Sequence, residues 1–240
     1  MKKNTMKQMR NKLFGTFILL GAAFTSQAQA DWNSIGAGVI HQDSTTRQGY
    51  TLIFVNKSAD FDTAIGRRMT DAFFTVYPVE AKLYNPKTLR KVFFVVDPEY
   101  KGVAATAGGI VRYNPEWFKK HPGDIDVVTH EVMHIVQAYP GGSGPGWITE
   151  GIADYVRYTL GVDNAGAGWS LPEYNAKHHY DNAYRITARF LVWIEKSHKG
   201  FVQKLDAVMR SKTYQDSFWK EQTGKTVSEL WDEYAANPGL

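Results

Sequence analysis

The sequence contains no cysteine, which excludes disulfide bonds and lipid anchoring through a thioether. It also lacks a long apolar run, since the longest, residues 13–24, has about a dozen residues and is short for a membrane span. No internal repeat, low-complexity tract or long linker divides residues 31–240. These absences favour a single domain, stabilised by its core and by any metal that it holds.

The first thirty residues have the features of a secretory signal. The segment before the apolar run carries five bases and no acid: Lys2, Lys3, Lys7, Arg10 and Lys12. Small residues at Ala28–Ala30 suit signal peptidase. A membrane anchor or a buried helix is the alternative. We therefore expect residues 1–30 to be a cleaved signal peptide, and residues 31–240 to be secreted or periplasmic, without membrane attachment after cleavage.

The net charge of the chain without residues 1–30 bears on whether nucleic acid is a partner. Five of the 28 basic residues and none of the 24 acidic ones lie in residues 1–30. Residues 31–240 therefore carry 23 bases against 24 acids, a net charge of −1. The sequence thus gives no electrostatic reason to expect a nucleic-acid partner.

The apolar periodicity predicts a small sheet followed by helices, which is an α+β fold. Three strands are expected within residues 49–58, 90–98 and 108–118, with Pro115 ending the third. The expected helices cover residues 61–77, 124–137, 148–160, 182–197, 199–210 and 226–236. We expect Asp124 to be the N-cap of the second helix and Gly161 to end the third.

The stretch HEVMH at residues 130–134 lies inside a predicted helix. Residues four apart share a helix face, so His130 and His134 can direct ring nitrogens at one point, where tetrahedral zinc needs ligands about 2 Å away. Glu131 is offset by about 100° around the helix, where a base can border the metal without binding it. An amphipathic helix that carries two histidines by chance is the alternative.

Two acidic residues follow the glycine-rich turn at residues 139–146. Glu150 can serve as a third ligand, and Asp154, one turn later, can accept the second ring N–H of His130. An ordinary acidic pair near a helix N-terminus is the alternative. Placed after the histidine motif, however, the pair favours a metal centre.

Other histidines are weaker candidates for the metal. The position ten after His130 is Pro140, which excludes a third histidine at the metzincin spacing. His178 and His179 remain as rival ligands or substrate-binding groups, although adjacent histidines in a polar stretch are more often surface residues.

GWITEGIADYVR after HEVMHIVQ resembles the basic secretory protein family, and YDNAYRITARFLVWIE resembles a later segment of that family. The resemblance covers roughly residues 50–235. It implies a zincin-like fold with an edge strand over the cleft, and metal-dependent peptidase activity. The spacing from Glu150 to Asp154 is also similar to the gluzincins, whose third ligand is glutamate. Carried over, the family pattern makes His130, His134 and Glu150 zinc ligands, Glu131 the base and Asp154 the partner of His130.

Some residues depart from the family pattern or have no settled role. Ala183 stands where the family tends to have glycine, and Arg185 where it tends to have an acid, so the substrate side is expected to differ. Tyr184, in the family-like segment, is the first candidate for a donor to the reaction's oxyanion. Core packing is its alternative role, and the other candidates are Tyr155, His179 and Tyr180.

The GGIVRYN stretch at residues 108–114 is a candidate edge strand for pairing with an extended substrate. An edge strand without a ligand is the equal alternative. Arg157 and Arg189 are expected to form structural ion pairs, although either can bind a substrate carboxylate.

The expected function is therefore zinc-dependent hydrolysis of peptide or protein substrates. A secreted binding or defence module with a structural or vestigial zinc site is the rival, but structural sites usually have four protein ligands, often cysteines. A third hypothesis makes the substrate a glycosylated peptide, because the 7 Trp and 13 Tyr residues permit sugar stacking. The sequence does not specify the oligomeric state.

Overall fold

A computed structural model describes residues 35–240, which form one compact unit. The predicted signal peptide lies outside the described residues. The strands are β1 (His41–Arg47), β2 (Tyr50–Asn56), β3 (Lys91–Val96), β4 (Ala104–Ala107) and β5 (Ile110–Tyr113). The helices are α1 (Thr63–Leu83), α2 (Pro115–Lys120), α3 (Val127–Gln137), α4 (Gly146–Leu160), α5 (Tyr184–Ser197), α6 (Phe201–Arg210), α7 (Ser217–Thr223) and α8 (Val227–Ala236).

The strands form one mixed sheet in the order β1-β2-β3-β5-β4. β2, β3 and β5 are parallel to each other, while β1 and β4 pair antiparallel at the two edges. The α+β prediction is confirmed, but the edge assignment was wrong. The GGIVRYN stretch contributes the interior strand β5, because the short strand β4 folds back over the Gly108–Gly109 turn and covers it.

The two faces of the sheet are packed differently. Alternate side chains of β3, Val92, Phe94 and Val96, join a large core with the helices. The intervening Val95 packs with Val55 and Ile110 in a smaller cluster on the opposite face. Both faces of the central strands are thus covered, as expected for a parallel strand of nearly uniform apolar composition.

Helix α1 is longer than predicted because it continues through Pro78 to Leu83. Proline cannot donate to the carbonyl four residues earlier, which leaves the Phe74 oxygen without its helical partner. The Gln48 side-chain amide donates to that oxygen at 3.2 Å. Gln48 and Gly49, both with positive φ, form the tight turn between β1 and β2. The β1–β2 hairpin therefore supplies the hydrogen bond that Pro78 cannot donate within the helix.

Helix α3 begins two residues later than predicted, with Asp126 rather than Asp124 at its N-cap. The prediction of Asp124 as N-cap was wrong, because its carboxylate is engaged elsewhere: it accepts from Trp117 Nε1 and from Arg157. Asp126 is fully buried and accepts from the backbone N–H groups of Val162 and Asp163. This links the start of α3 to the chain beyond α4. Across residues 35–240, no helix is long and apolar enough to cross a membrane.

Candidate metal centre

The apolar face of α3 fixes the two motif histidines. Val128, Val132 and Val136 are fully buried in the core. His130 and His134 lie one turn apart on the face toward an open cleft, with their Nε2 atoms 3.2 Å apart. The sequence motif thus leads to two imidazoles that converge on one point.

The chain reverses after α3 and brings α4 against it. Helix α3 ends at Ala138, which has a left-handed conformation, and α4 begins at Gly146. Gln137 ties the two helices together, because its side-chain amide donates to the Thr149 carbonyl at 2.9 Å. The next residue, Glu150, therefore faces the histidines.

Three potential ligand atoms meet at this point. Glu150 Oε2 lies 3.2 Å from His130 Nε2 and 3.5 Å from His134 Nε2. Ligands bound tetrahedrally to zinc at about 2.0–2.1 Å lie roughly 3.3 Å from one another. The three separations in the structure fit such a centre. In residues 35–240, this is the one group of three metal-binding side chains close enough to hold an ion.

The hydrogen bonds at Nδ1 of both imidazoles direct their Nε2 atoms toward the position of a metal. His130 Nδ1 lies 2.7 Å from Asp154 Oδ1, and His134 Nδ1 lies 2.7 Å from Gln137 Oε1. Both partners are acceptors, so each neutral ring carries its proton on Nδ1 and its lone pair on Nε2. Two lone pairs and a carboxylate then face one another, an arrangement that a cation stabilises.

The proximity of these groups shifts the pKa values of His130 and Glu150. Burial lowers the pKa of His130, but the hydrogen bonds to Asp154 and Glu150 outweigh it and raise the pKa to about 10. Burial raises the pKa of Glu150, whereas its hydrogen bonds to His130 and His134 dominate and hold that pKa well below its usual range. A proton on His130 thus occupies the position that a metal would take.

Glu131 borders the three-residue group without joining it. Its carboxylate is largely buried and lines the cleft. The Thr106 hydroxyl lies 2.6 Å from Glu131 Oε2 and 3.0 Å from the Glu131 carbonyl oxygen. The role of Thr106 is not visible in the sequence, because a threonine among alanines carries no motif and the sequence pattern does not predict β4.

Tyr184 also lies beside the histidines. Its ring stacks on that of His130, with the centroids 6.1 Å apart, while about half of the residue is exposed. The charge of Glu150 and partial burial raise the pKa of Tyr184, so its hydroxyl remains protonated. Ala183 and Tyr184 have φ values of 63° and 48°, a conformation that favours glycine. The family tendency toward glycine at position 183 has a physical reason here.

The other candidates from the sequence lie elsewhere. Tyr155 and Tyr180 pack against the core, and neither lines the cleft. His179 is exposed and pairs with Asp181, and His178 accepts from the Asn175 backbone N–H. The structure therefore does not bring this histidine pair to the three-residue group.

Both arginines singled out from the sequence form ion pairs. Arg157 lines the cleft, is largely buried, and pairs with Asp124 at 2.5 Å. Arg189 pairs with Glu173 and donates to the Pro238 carbonyl. The prediction of ion pairs is confirmed for each.

Solved structures that match this chain over most of its length include zinc metallopeptidases. A two-domain M1 zinc metallopeptidase bound to L-tryptophan aligns with a TM-score of 0.50 and 13% identity, over 83% of this chain and 52% of that one. An M1 zinc metallopeptidase from Deinococcus radiodurans gives a TM-score of 0.47 and 11% identity over 83% and 52% of the two chains. An aminopeptidase N family protein from Idiomarina loihiensis gives 0.48 and 12% over 81% and 46%.

The chain spans about half the length of these solved chains. At 13% identity, the first likeness is one of fold. No curated protein matches the sequence. Residues 41–234, most of the chain, match the family described as "Peptidase of plants and bacteria", abbreviated BSP. This chain therefore belongs to the BSP family, described as peptidases of plants and bacteria.

Proposed function

We propose that the protein is an exported zinc-dependent peptidase in which His130, His134 and Glu150 hold the metal. The observation that carries the proposal is the convergence of two imidazole Nε2 atoms and a carboxylate oxygen at 3.2–3.5 Å. Asp154 and Gln137 support it, because they direct both rings toward the common point. Three protein ligands leave a fourth position open, which is typical of a catalytic rather than a structural zinc site.

Glu131 is the general base in this proposal. Zinc, when bound, would supply a more acidic water and polarise the peptide carbonyl. Glu131 takes a proton from the attacking water and delivers it to the nitrogen of the leaving amine. Its carboxylate suits the role because it lines the cleft next to the ligand group without belonging to it.

Thr106 positions that base. A hydroxyl has one proton and two lone pairs, and here it has two acceptors within 3.0 Å, both on Glu131. With Glu131 ionised, the hydroxyl donates to Oε2. With Glu131 protonated, the hydroxyl donates to the carbonyl oxygen and accepts from the carboxyl group. Thr106 thus holds the carboxyl group through both halves of the proton transfer and leaves Oε1 for the water.

Tyr184 is the proposed donor to the oxyanion. Its raised pKa keeps the hydroxyl protonated, and its stacking on His130 keeps it beside the ligand group. A neutral donor directed at a developing negative charge stabilises the transition state more than the substrate.

Strand β4 is the proposed guide for an extended substrate, in place of the stretch predicted from the sequence. Asn114 N–H donates to the Val103 carbonyl, so alternate residues from Val103 face β5 and the backbone of Ala104 and Thr106 faces outward. Tyr100 already donates to the Ala104 carbonyl. The Thr106 backbone N–H and carbonyl therefore face outward, directly beside Glu131, where they can pair with a substrate strand.

Export follows from the signal features of residues 1–30, and intact mass of the exported protein tests it. We expect a chain that begins at Asp31. Retention of residues 1–30 in a membrane fraction would contradict cleavage.

Metal analysis combined with a mixed-peptide cleavage assay tests the activity. We expect about one zinc ion per chain, cleavage of peptides, loss of cleavage with a chelator and recovery with zinc. A protein that holds zinc and cleaves no peptide would instead support the binding or defence module. Cleavage restricted to glycosylated peptides would support the third hypothesis.

A further inference from the structure

Two tryptophans line the same cleft as the metal-binding group. Trp117 comes from the short helix α2, and Trp169 comes from the loop between α4 and α5. Both side chains are partly buried and keep some surface open to the cleft. Neither tryptophan is a candidate site residue on sequence grounds.

A buried ion pair lies between the two indoles. Asp124 Oδ2 accepts from Trp117 Nε1 at 2.8 Å, and Asp124 Oδ1 accepts from Arg157 at 2.5 Å. The Arg157 guanidinium carbon lies 4.5 Å from the centre of the Trp169 ring, a cation–π distance. Asp124 and Arg157 are about nine-tenths or more buried. The pair therefore sets the positions of both indoles.

The loop that carries Trp169 is fixed by its backbone. Asn164 accepts from Arg157 Nε, donates to the Arg157 carbonyl, and receives the Trp169 N–H on its own carbonyl at 2.9 Å. The start of the loop is held by the buried Asp126 carboxylate. Trp169 is thus held in place before any substrate binds.

The polar atoms around Trp117 and Trp169 that already have hydrogen-bond partners determine which ligand this part of the cleft can bind. Asp124 uses both of its oxygens, and the Trp117 indole N–H is committed to it. The charge of Arg157 is neutralised by Asp124, and its face is covered by Trp169. These two residues therefore leave the indole surfaces of Trp117 and Trp169 toward the cleft, with the His121 ring stacked on Trp117 at a centroid distance of 4.0 Å. Such a surface favours an apolar or aromatic side chain.

We propose that Trp117 and Trp169 form a subsite for an apolar, preferably aromatic, side chain of the peptide substrate. This inference rests on the proposed peptidase function and names its substrate class. A sugar needs several hydrogen-bond partners around its ring, and the committed polar atoms of Asp124 and Arg157 do not supply them. Arg185 also lines the cleft and donates to the Ser170 carbonyl next to Trp169, so a substrate carboxylate would bind there rather than between the indoles, and acidic residues in the substrate test that outcome.

Peptide libraries that vary each position around the scissile bond test the preference. We expect one position to select Phe, Tyr, Trp or Leu over Asp and Ala by about tenfold or more in kcat/KM. Trp117→Ala and Trp169→Ala should each reduce that selection, mainly through KM, without changing zinc content. Trp193→Phe is the matched control, because Trp193 lies on α5 outside the cleft and donates to the Asn237 carbonyl.

Binding to the zinc-loaded Glu131→Gln variant gives a readout besides turnover. A paired set of peptides, with Phe or Ala at the selected position, should differ in Kd by about tenfold. The difference should disappear with Trp169→Ala, a loop substitution that leaves the core intact. If the variant binds the Phe peptide preferentially while the wild type cleaves nothing, the subsite stands and the proposed function fails. Cleavage without aromatic selection, or selection of acidic or glycosylated residues, would overturn the subsite.

Discussion

Asp154 Oδ1 lies 2.7 Å from Nδ1 of His130, whereas Glu150 Oε2 lies 3.2 Å from Nε2 of the same ring. The two carboxylates lie one turn apart on α4 and thus contact opposite nitrogens of the same imidazole. We expect Glu150→Ala to remove a ligand and severely reduce zinc binding. Asp154→Ala removes only the partner of a ligand, so zinc affinity or activity should fall about 10–100-fold while some zinc remains.

Zinc titration of the two variants distinguishes these roles. Asp154→Asn is a useful companion variant, because its amide keeps an oxygen that can accept a hydrogen bond from Nδ1 of His130. We therefore expect a smaller loss of zinc affinity and activity in this variant than in Asp154→Ala. Loss of zinc from Asp154→Ala together with retention by Glu150→Ala would assign the third ligand to the aspartate.

Thr106→Val should lower kcat roughly tenfold or more and leave KM and zinc content nearly unchanged, because the base loses its hydrogen-bond partner while the side-chain volume stays similar. Thr106→Ser keeps the hydroxyl and should restore most of the rate. Thr75→Val is the control, since its hydroxyl is exposed and donates within α1. Equal losses in the valine and serine variants would indicate a packing role instead.

Ala183→Gly should stabilise the protein. A non-glycine residue at φ 63° and ψ −175° carries strain of about 1–3 kcal/mol, which exceeds the roughly 0.5–1 kcal/mol entropic cost of glycine. A gain of about 1 kcal/mol corresponds to a rise in Tm of about 2–4 °C. Ala207→Gly, at an exposed position within α6, should lower Tm instead. A lower Tm for Ala183→Gly would contradict the strain assignment.

The metal-free protein should lose stability as the pH rises from about 6.5 to about 10. The folded-state pKa of His130 is raised from 6.5 to about 10, so its stabilisation is complete below pH 6.5 and is lost toward pH 10. The lowered pKa of Glu150 has its effect at acidic pH. Its contribution to stability is complete above about pH 4.5 and is lost as the pH falls below that value.

Denaturation midpoints across this range, with a chelator and with excess zinc, test the effect. Zinc affinity increases as His130 loses its proton, so the zinc-loaded protein should not show the decline above pH 6.5. Identical pH profiles of stability with and without zinc would contradict the role given to His130.

The sequence predicted that His130, His134 and Glu150 come together, because helical spacing alone brings His130 toward His134 and a glycine-rich turn returns Glu150 to them. It did not predict Thr106, because the contact with Glu131 joins β4 to α3 across 25 residues. Strand β4 itself has only four small residues, AATA, and gives no apolar alternation. Contacts between distant segments determine these features.

The same limit applies to the edges of the fold. Strand β1, HQDSTTR, is polar on both faces, so no periodicity predicts it. The extension of α1 depends on Gln48, thirty residues before Pro78, which donates to the carbonyl that the proline leaves free. Asp124 looked like a helix cap in the sequence, but its partners are Trp117 and the distant Arg157.

The most direct test of the central claim compares zinc content and peptide cleavage in the wild type and in Glu131→Gln. The amide is nearly isosteric with the carboxylate and removes no proposed ligand, but it cannot take the water's proton. The account predicts one zinc ion in each protein and a fall in kcat of about three powers of ten or more in the variant. Cleavage by Glu131→Gln at nearly the wild-type rate would contradict the account.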